Sequence, residues 1–444
     1  MGGKVLVGLQ ASMTQLVCFF KRAVKFILSR IRDTPIPKPN PASDFPAAWA
    51  VHRGKSFSEW NGLRFEIIHS MDGLLKLADG WRQLTQGLRP ARHYHHVEWF
   101  LALTRTMDQF GDGSYLYVAI YDSLKLVGIV PLRVTTAWVH GVPYPVPVKA
   151  LRLLSNVRET PATRDVIFAE SVIDADVFTG LVRYLDKLNS WWDVIALTDV
   201  IEGSHAHAAF LKTPTLPSLT TFGRACGGHI DSISCGPSDM PFQRLSPKFR
   251  RQLRNAHNRL AAEGPRFLYA STPEELREAY PKLVAVEASG WKHNSEYCIA
   301  NHPQFDAFLR HLMFYFEPIG GYEIHLLQLA DCTIAGLLCI VSARINFMHV
   351  VGYDETYSRL SPGFMLLENL ITTQAQKGEV DFITSGHAAS WFSSHWKPDH
   401  ILTVSDHYLF RPSKRDAKIR DRLAKKATAQ LGEIAGRRRR GDRS

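Results

Sequence analysis

The sequence predicts an α/β (α+β) chain made of two similarly organised halves, on the strength of its length, its composition and the order in which its periodic segments recur. At 444 residues it exceeds what a single hydrophobic core usually organises. With 45% hydrophobic and 11% aromatic residues it has the make-up of a packed protein, and 21% charged residues is not the signature of disorder. Helical and strand patterns alternate between residues 99 and 197, and the same order returns between 273 and 384 without a close sequence repeat.

Taken from the start, residues 1–32 place Met13, Leu16, Val17, Phe20, Val24, Ile27, Leu28 and Ile31 at three- and four-residue steps, with Lys21, Arg22, Lys25, Ser29 and Arg32 on other faces. That is a basic amphipathic helix, suited to docking on its own protein or to lying in the interface of an anionic bilayer. Residues 33–59 form a linker stiffened by Pro35, Pro37, Pro39 and Pro41. The first domain, 60–235, is expected to hold a helix at 99–107 and strands at 114–121 and 126–133 joined by Asp122-Ser123. A strand at 151–154, a helix at 177–188 and a strand at 193–197 follow. The second domain, 236–412, has helices at 273–289 and 304–316, strands at 322–329, 334–341 and 346–353, a helix at 362–377 and a short strand at 381–384. Residues 413–444 are a basic tail.

The formal charge of +11 is concentrated at the ends. Residues 1–32 carry six basic residues and no acid, and residues 411–444 carry thirteen against four, which leaves the body at −4. A nucleic-acid partner is therefore not expected for the folded part, whereas an anionic membrane surface suits the ends, and the tail with Arg437-Arg-Arg-Arg440 suits nucleic acid or anionic lipid. The six cysteines contain no CxxC pair and fit a reducing compartment. No uncharged apolar run is long enough to span a bilayer, and residues 5–20 lead into Lys21-Arg22 with no small-residue cleavage site. The expected location is cytoplasmic, peripheral on the inner membrane face. His93-Tyr-His95-His96 and His205-Ala-His207 lack the companion ligands of a zinc motif, so no metal site is expected.

Trp99-Phe100, the hairpin ending Leu126-Val-Gly-Ile-Val-Pro131-Leu132, and Trp192-Asp193 carry a family resemblance. So do Lys248-Phe-Arg-Arg-Gln-Leu-Arg254, Glu287-Ala-Ser-Gly-Trp291-Lys292, Ile334-Ala335-Gly336, Tyr353-Asp354 and Ser361-Pro362-Gly363. In this order and spacing the chain resembles the GNAT-like acyltransferases of bacterial envelope and exopolysaccharide gene sets, over most of residues 60–400. It is similar in the same way to the Fem peptidyltransferases. The resemblance implies two GNAT-like domains with mixed, mostly antiparallel sheets flanked by helices, catalysis in the second, and an acyl-CoA or acyl carrier protein co-substrate with no permanently bound cofactor.

The residues supply candidates for each part of an acyl transfer. Ser361-Pro362-Gly363 suits a helix start: serine caps, proline fits the first helical position, and glycine lets a phosphate approach free backbone donors. The resemblance implies that the donor lies along the central strands, so Ser361, Gly363 and Val351 are donor-binding candidates. Arg250 joins them from the helix that Ser246-Pro247 opens, on a run whose commoner reading is a solvated face. One glycine stands where the common phosphate loop has two, which leaves the carrier of the thioester open. Simple alternation over 346–353 puts Phe347, His349, Val351 and Tyr353 on one face. His349 is then either a satisfied core histidine or a proton acceptor. Glu287 is the rival base, and as a bland alternative a solvated helix charge. Trp291, Lys292, Tyr353, Asp354 and His387 are acceptor-side candidates, although capping a turn is the commoner reading of Asp354.

The function these residues predict is N-acyl transfer from a thioester to an amine of an envelope precursor, such as an amino sugar or a long-chain amino lipid. Aminoacyl-tRNA-dependent peptidyl transfer is the second enzymatic expectation and calls for a continuous basic face. A non-catalytic assembly protein is the third and calls for an occluded donor slot.

Overall fold

The computed structural model describes residues 57–410 apart from the short stretches 89–91, 140–145, 156, 158–163, 171, 173, 188–191, 213–219, 236–240, 296–297 and 386–389. The amphipathic segment 1–32, most of the linker, the tail 413–444 and His387 lie outside the described residues.

Chain order sets two runs of elements side by side. The first contains β1 (Phe57–Trp60), β2 (Leu63–Ile68), α1 (Met71–Gln86), α2 (Val97–Gln109), β3 (Tyr115–Asp122), β4 (Lys125–Val139), β5 (Val146–Leu153) and β6 (Ile167–Phe168). It ends with α3 (Asp174–Lys187), β7 (Val194–Ile201), α4 (His205–Lys212) and β8 (Thr220–Ser234). After α5 (Pro247–Ala261) the second contains β9 (Pro265–Ala270), α6 (Pro273–Ala288), α7 (Pro303–Phe316), β10 (Tyr322–Leu329), β11 (Cys332–Ser342) and β12 (Ile345–Tyr353). It closes with α8 (Pro362–Lys377), β13 (Phe382–Thr384), α9 (Ser390–Trp396) and β14 (His400–Phe410). From β2 to β8 and from β9 to β14 the order is the same: strand, two helices, three strands, helix, strand, short helix, strand. Only β6 has no counterpart.

Local chemistry starts the helices where they start. Ser70 accepts the Gly73 N–H at 3.2 Å to cap α1. Ser246 accepts from Phe249 ahead of Pro247 to open α5, and Thr272 with Glu275 forms a reciprocal capping box at α6. α2 is buried on nearly every side, from Val97 to Met107, because α7 packs on one flank and α1 on another. Thr106 and His311 bond at 2.9 Å across the α2–α7 contact.

The strands form a single sheet in the order β1-β2-β3-β4-β5-β7-β14-β8-β13-β12-β11-β10-β9, with β6 paired to β4. It is mixed and mostly antiparallel, the parallel strand pairs being β5–β7 and β12–β13. Its middle is an exchange. β8, the last strand of the first run, pairs with β13 of the second, while β14 pairs with β7 of the first. The two exchanged strands also pair with each other from His400↔Ser232 to Phe410↔Thr220. Each half thus completes its sheet with the other's final strand.

Candidate functional site

β12 is hydrogen-bonded to β11 along its length, but on its other edge it meets parallel β13 only at Ile345, Asn346 and Phe347. Past Phe347 no strand among the described residues takes up that edge, so backbone N–H and C=O groups face a gap. The matching region of the first half is closed: Arg164 bridges to Val200 of β7, and Ile167 and Phe168 pair with Ile129 and Gly128 of β4. An open slot of this kind therefore belongs to the second half.

A cavity of about 330 Å³ lies there, lined by Trp291, Lys292, Val351, Tyr353, Ser358, Ser361, Pro362, Gly363 and Phe364. The residues singled out as Ser361, Gly363, Val351, Trp291, Lys292 and Tyr353 are thus brought together on one space. Its walls are mostly apolar, with hydroxyls, one ammonium and the start of α8 as the polar features. Among the described residues no side chain fills the slot, whereas the non-catalytic expectation calls for an occluded one.

Ser361 departs from the capping expected of it. Its backbone is left-handed (φ +53°) and its side chain caps nothing; instead its carbonyl accepts the N–H groups of Phe364 and Met365 at 3.0 and 3.1 Å. Pro362 has no N–H, so Gly363 supplies the remaining donor of that first turn, beside the cavity. Behind it, Phe364 meets Phe249 of α5 at 5.4 Å, and both rings pack with His395 at 5.0 Å.

The face assignment of β12 also needs correcting. Register steps from Leu338↔Val350 to Cys339↔Met348, which makes His349 the extra residue of a bulge. Alternation therefore resets at this point. Phe347 and Val350 pack with α2, α6 and α7, whereas Met348, Val351 and Tyr353 pack toward α5 and α8. His349 lies with Trp99, Phe305, Phe308 and Phe347, at ring distances of 5.6, 5.9, 6.4 and 5.3 Å, and is not among the groups that line the cavity. Next to it His93 stacks flat on Phe347 at 4.0 Å. Burial, reinforced by the neighbouring His349, holds the His93 imidazole well below its usual range.

Glu287 is not a solvated helix charge. Only 1% of it is exposed, at the last turn of α6. Its Oε2 accepts the Ile299 N–H at 2.9 Å and its Oε1 lies 3.2 Å from Lys292 Nζ. Lys292, 16% exposed at its side chain, donates to the Val351 carbonyl at 2.8 Å. This ammonium therefore joins a buried carboxylate to the edge of the slot. Backbone contact makes the geometry tight: a Cβ on Gly352 would stand 2.6 Å from the Glu287 Cα, and one on Gly290 would stand 2.6 Å from the Tyr353 carbonyl oxygen. Beside the carboxylate, burial and then Glu287 itself push the Cys298 thiol up.

Asp354 and Arg250 stand apart from the cavity lining. Asp354 caps the short turn Glu355–Leu360, its Oδ1 accepting the Thr356 N–H at 2.9 Å and hydroxyl at 2.7 Å. Arg250 is exposed on α5 and does not line the cavity. Trp291 is 65% exposed at the cavity mouth. Sequence reasoning missed Ser358, Phe364 and the turn at 298–299; the glycines Gly290 and Gly352, which mark the close approach, were the signal available. No group of metal-ligating side chains is found among the described residues, and no helix among them is long and apolar enough to cross a membrane.

Residues 247–397 match the family model described as an acetyltransferase (GNAT) domain. The protein is similar to FemX (9% identity, 77% of this chain and 96% of that one, TM-score 0.48). It is also similar to L-PGS from Bacillus licheniformis (11%, 78% and 94%, TM-score 0.45). A third likeness is to a tandem GNAT protein from the clavulanic acid biosynthesis pathway (12%, 79% and 100%, TM-score 0.43). These likenesses are too distant to bring a substrate or donor to this chain. No curated protein matches it.

Proposed function

We propose that the protein, whose residues 247–397 match the family model described as an acetyltransferase (GNAT) domain, moves an acyl group from a thioester donor to an amine. The observation that carries this is the edge of β12 beyond Phe347, which no described strand takes up and which faces the start of α8 across the cavity of about 330 Å³. An extended arm containing amides pairs with such an edge as a strand would. The thioester end then lies near Lys292, and anionic groups of the carrier meet the Gly363 N–H at the positive end of α8. CoA and acyl carrier protein share the pantetheine arm this geometry suits. For the acceptor, an amino sugar or a long-chain amino lipid of the envelope remains the favoured class, supported by the basic, acid-free residues 1–32.

Glu287 is the proton acceptor in this reading. Its ammonium partner lines the cavity, whereas His349 packs on the opposite face of β12. The test is thiol release from acetyl-CoA and decanoyl-CoA with glucosamine and dodecylamine as probe acceptors, followed by mass spectrometry of the amide. Amide that forms with wild type and falls at least ~100-fold in Glu287→Gln supports the reading. Wild-type protein that binds neither thioester and forms no amide sinks it.

A further inference from the structure

Glu287 has a difficulty as a base: it is 1% exposed and does not line the cavity. The described contacts of its carboxylate are the Ile299 N–H at 2.9 Å, the Cys298 thiol and Lys292 Nζ at 3.2 Å. Of these, only Lys292 lines the cavity. Any proton passing from the cavity to Glu287 by way of these contacts must pass through that amine.

We propose that Lys292 is a catalytic residue that relays the acceptor's proton to Glu287, taking a proton from the attacking amine as it hands one of its own to the carboxylate. The inference rests on the cavity being the acyl-transfer site. As the amine attacks, the C–N bond forms and the N–H proton moves to Lys292 Nζ while another Lys292 proton moves to Glu287 Oε1. When the tetrahedral intermediate collapses, the C–S bond breaks and the thiolate leaves with its electron pair. The proton then returns from Glu287 through Lys292 to that sulfur. The products are an amide and a thiol, and both side chains end as they began.

Physical chemistry favours a lysine here. A lysine Nζ can both take and give a proton, and this one stands 3.2 Å from Glu287 Oε1 while also lining the cavity. The Val351 carbonyl, 2.8 Å away, keeps the amine directed along the slot whichever form it takes. Gly290 and Gly352, which admit no Cβ, bring the end of α6 against β12 closely enough for the chain of contacts to close. An arginine would keep the charge and both contacts but would not give up a proton.

The experiment compares Lys292→Met, Lys292→Arg and Lys292→Ala in the full chain, using the thiol-release assay above and calorimetric titration with decanoyl-CoA. The relay predicts that all three lose about 100-fold or more in turnover, while decanoyl-CoA affinity stays within a few-fold. Ethylamine should restore part of the Lys292→Ala rate of glucosamine and dodecylamine amide formation, read by mass spectrometry so that acylated ethylamine is not counted, and other small primary amines should do so in order of their basicity. Lys292→Arg turning over within a few-fold of wild type would mean that the residue acts only as a fixed cation, and would overturn the relay. So would a fully active Glu287→Gln. If wild-type protein forms no amide, the site reading and the relay fall together; if it does and Lys292→Arg is active, the relay falls alone.

Discussion

Glu287 and His407 show how much one side chain's surroundings decide. Glu287→Gln leaves the Lys292 ammonium with its Val351 contact but without its counter-charge in a site that water barely reaches. Because Lys292 is still partly accessible, the expected loss is at the low end for a broken buried pair, about 1–3 kcal/mol in urea unfolding. An unchanged midpoint and slope would show that the pair adds nothing. On β14, burial and then the neighbouring His207 push His407 down to about 4. The unfolded chain therefore binds more protons than the folded one between about pH 6.5 and 4, and stability falls as pH drops through that window. Thermal unfolding at pH 7 and pH 5 checks this: wild type should lose on the order of 1 kcal/mol more than His407→Phe, and equal losses would remove the explanation. The sequence made Glu287 legible as a candidate by its chemistry. Its burial was not legible, since that depends on the turn at 298–299 folding back over the helix end.

Among the elements, β12 and its neighbours decide whether there is a slot at all. Gly352→Ala puts a methyl group against the Glu287 backbone, and Gly290→Ala puts one against the Tyr353 carbonyl. Each should cost about 1–3 kcal/mol in denaturant unfolding by forcing α6 off β12. Both should also lose turnover beyond what their stability explains, because Lys292 moves with α6; a variant of normal stability and rate would contradict this. Much at this level could be read in advance. The expected spans 322–329 and 362–377 coincide with β10 and α8, where buried strands and a Pro-Gly start leave little ambiguity. The faces of β12 could not be read, because Met348-His349-Val350 carries no mark of a bulge and one extra residue reverses everything beyond it. β2 and β9 escaped notice for a different reason, since their patterns are short and strand pairing decides them; α1, capped by Ser70 with Leu74, Leu77, Ala78, Trp81 and Leu84 on one face, was legible in the sequence.

For the whole molecule, the exchanged strands make the two halves one object. β14 separates β7 from β8, and β8 separates β14 from β13, so neither half has a complete sheet of its own. Calorimetry should therefore show a single unfolding transition, and truncation before His400 should lower the melting temperature of the first half as well as the second. Two independent transitions would contradict this. The repeated order of elements was visible in the sequence, but the exchange was not, since the β8–β14 pairing joins residues 168 to 190 positions apart and leaves no local trace. The same architecture explains why one half has an open slot: residues 164–168 close the first, and nothing described closes the second. Hydrogen exchange of the full chain with and without saturating S-decanoyl pantetheine, the arm common to CoA and carrier-protein donors, tests this central claim most directly. The account predicts slowed exchange at the amides of 348–353 and at Gly363. Protection confined to other parts of the molecule, or no protection at all, would contradict it.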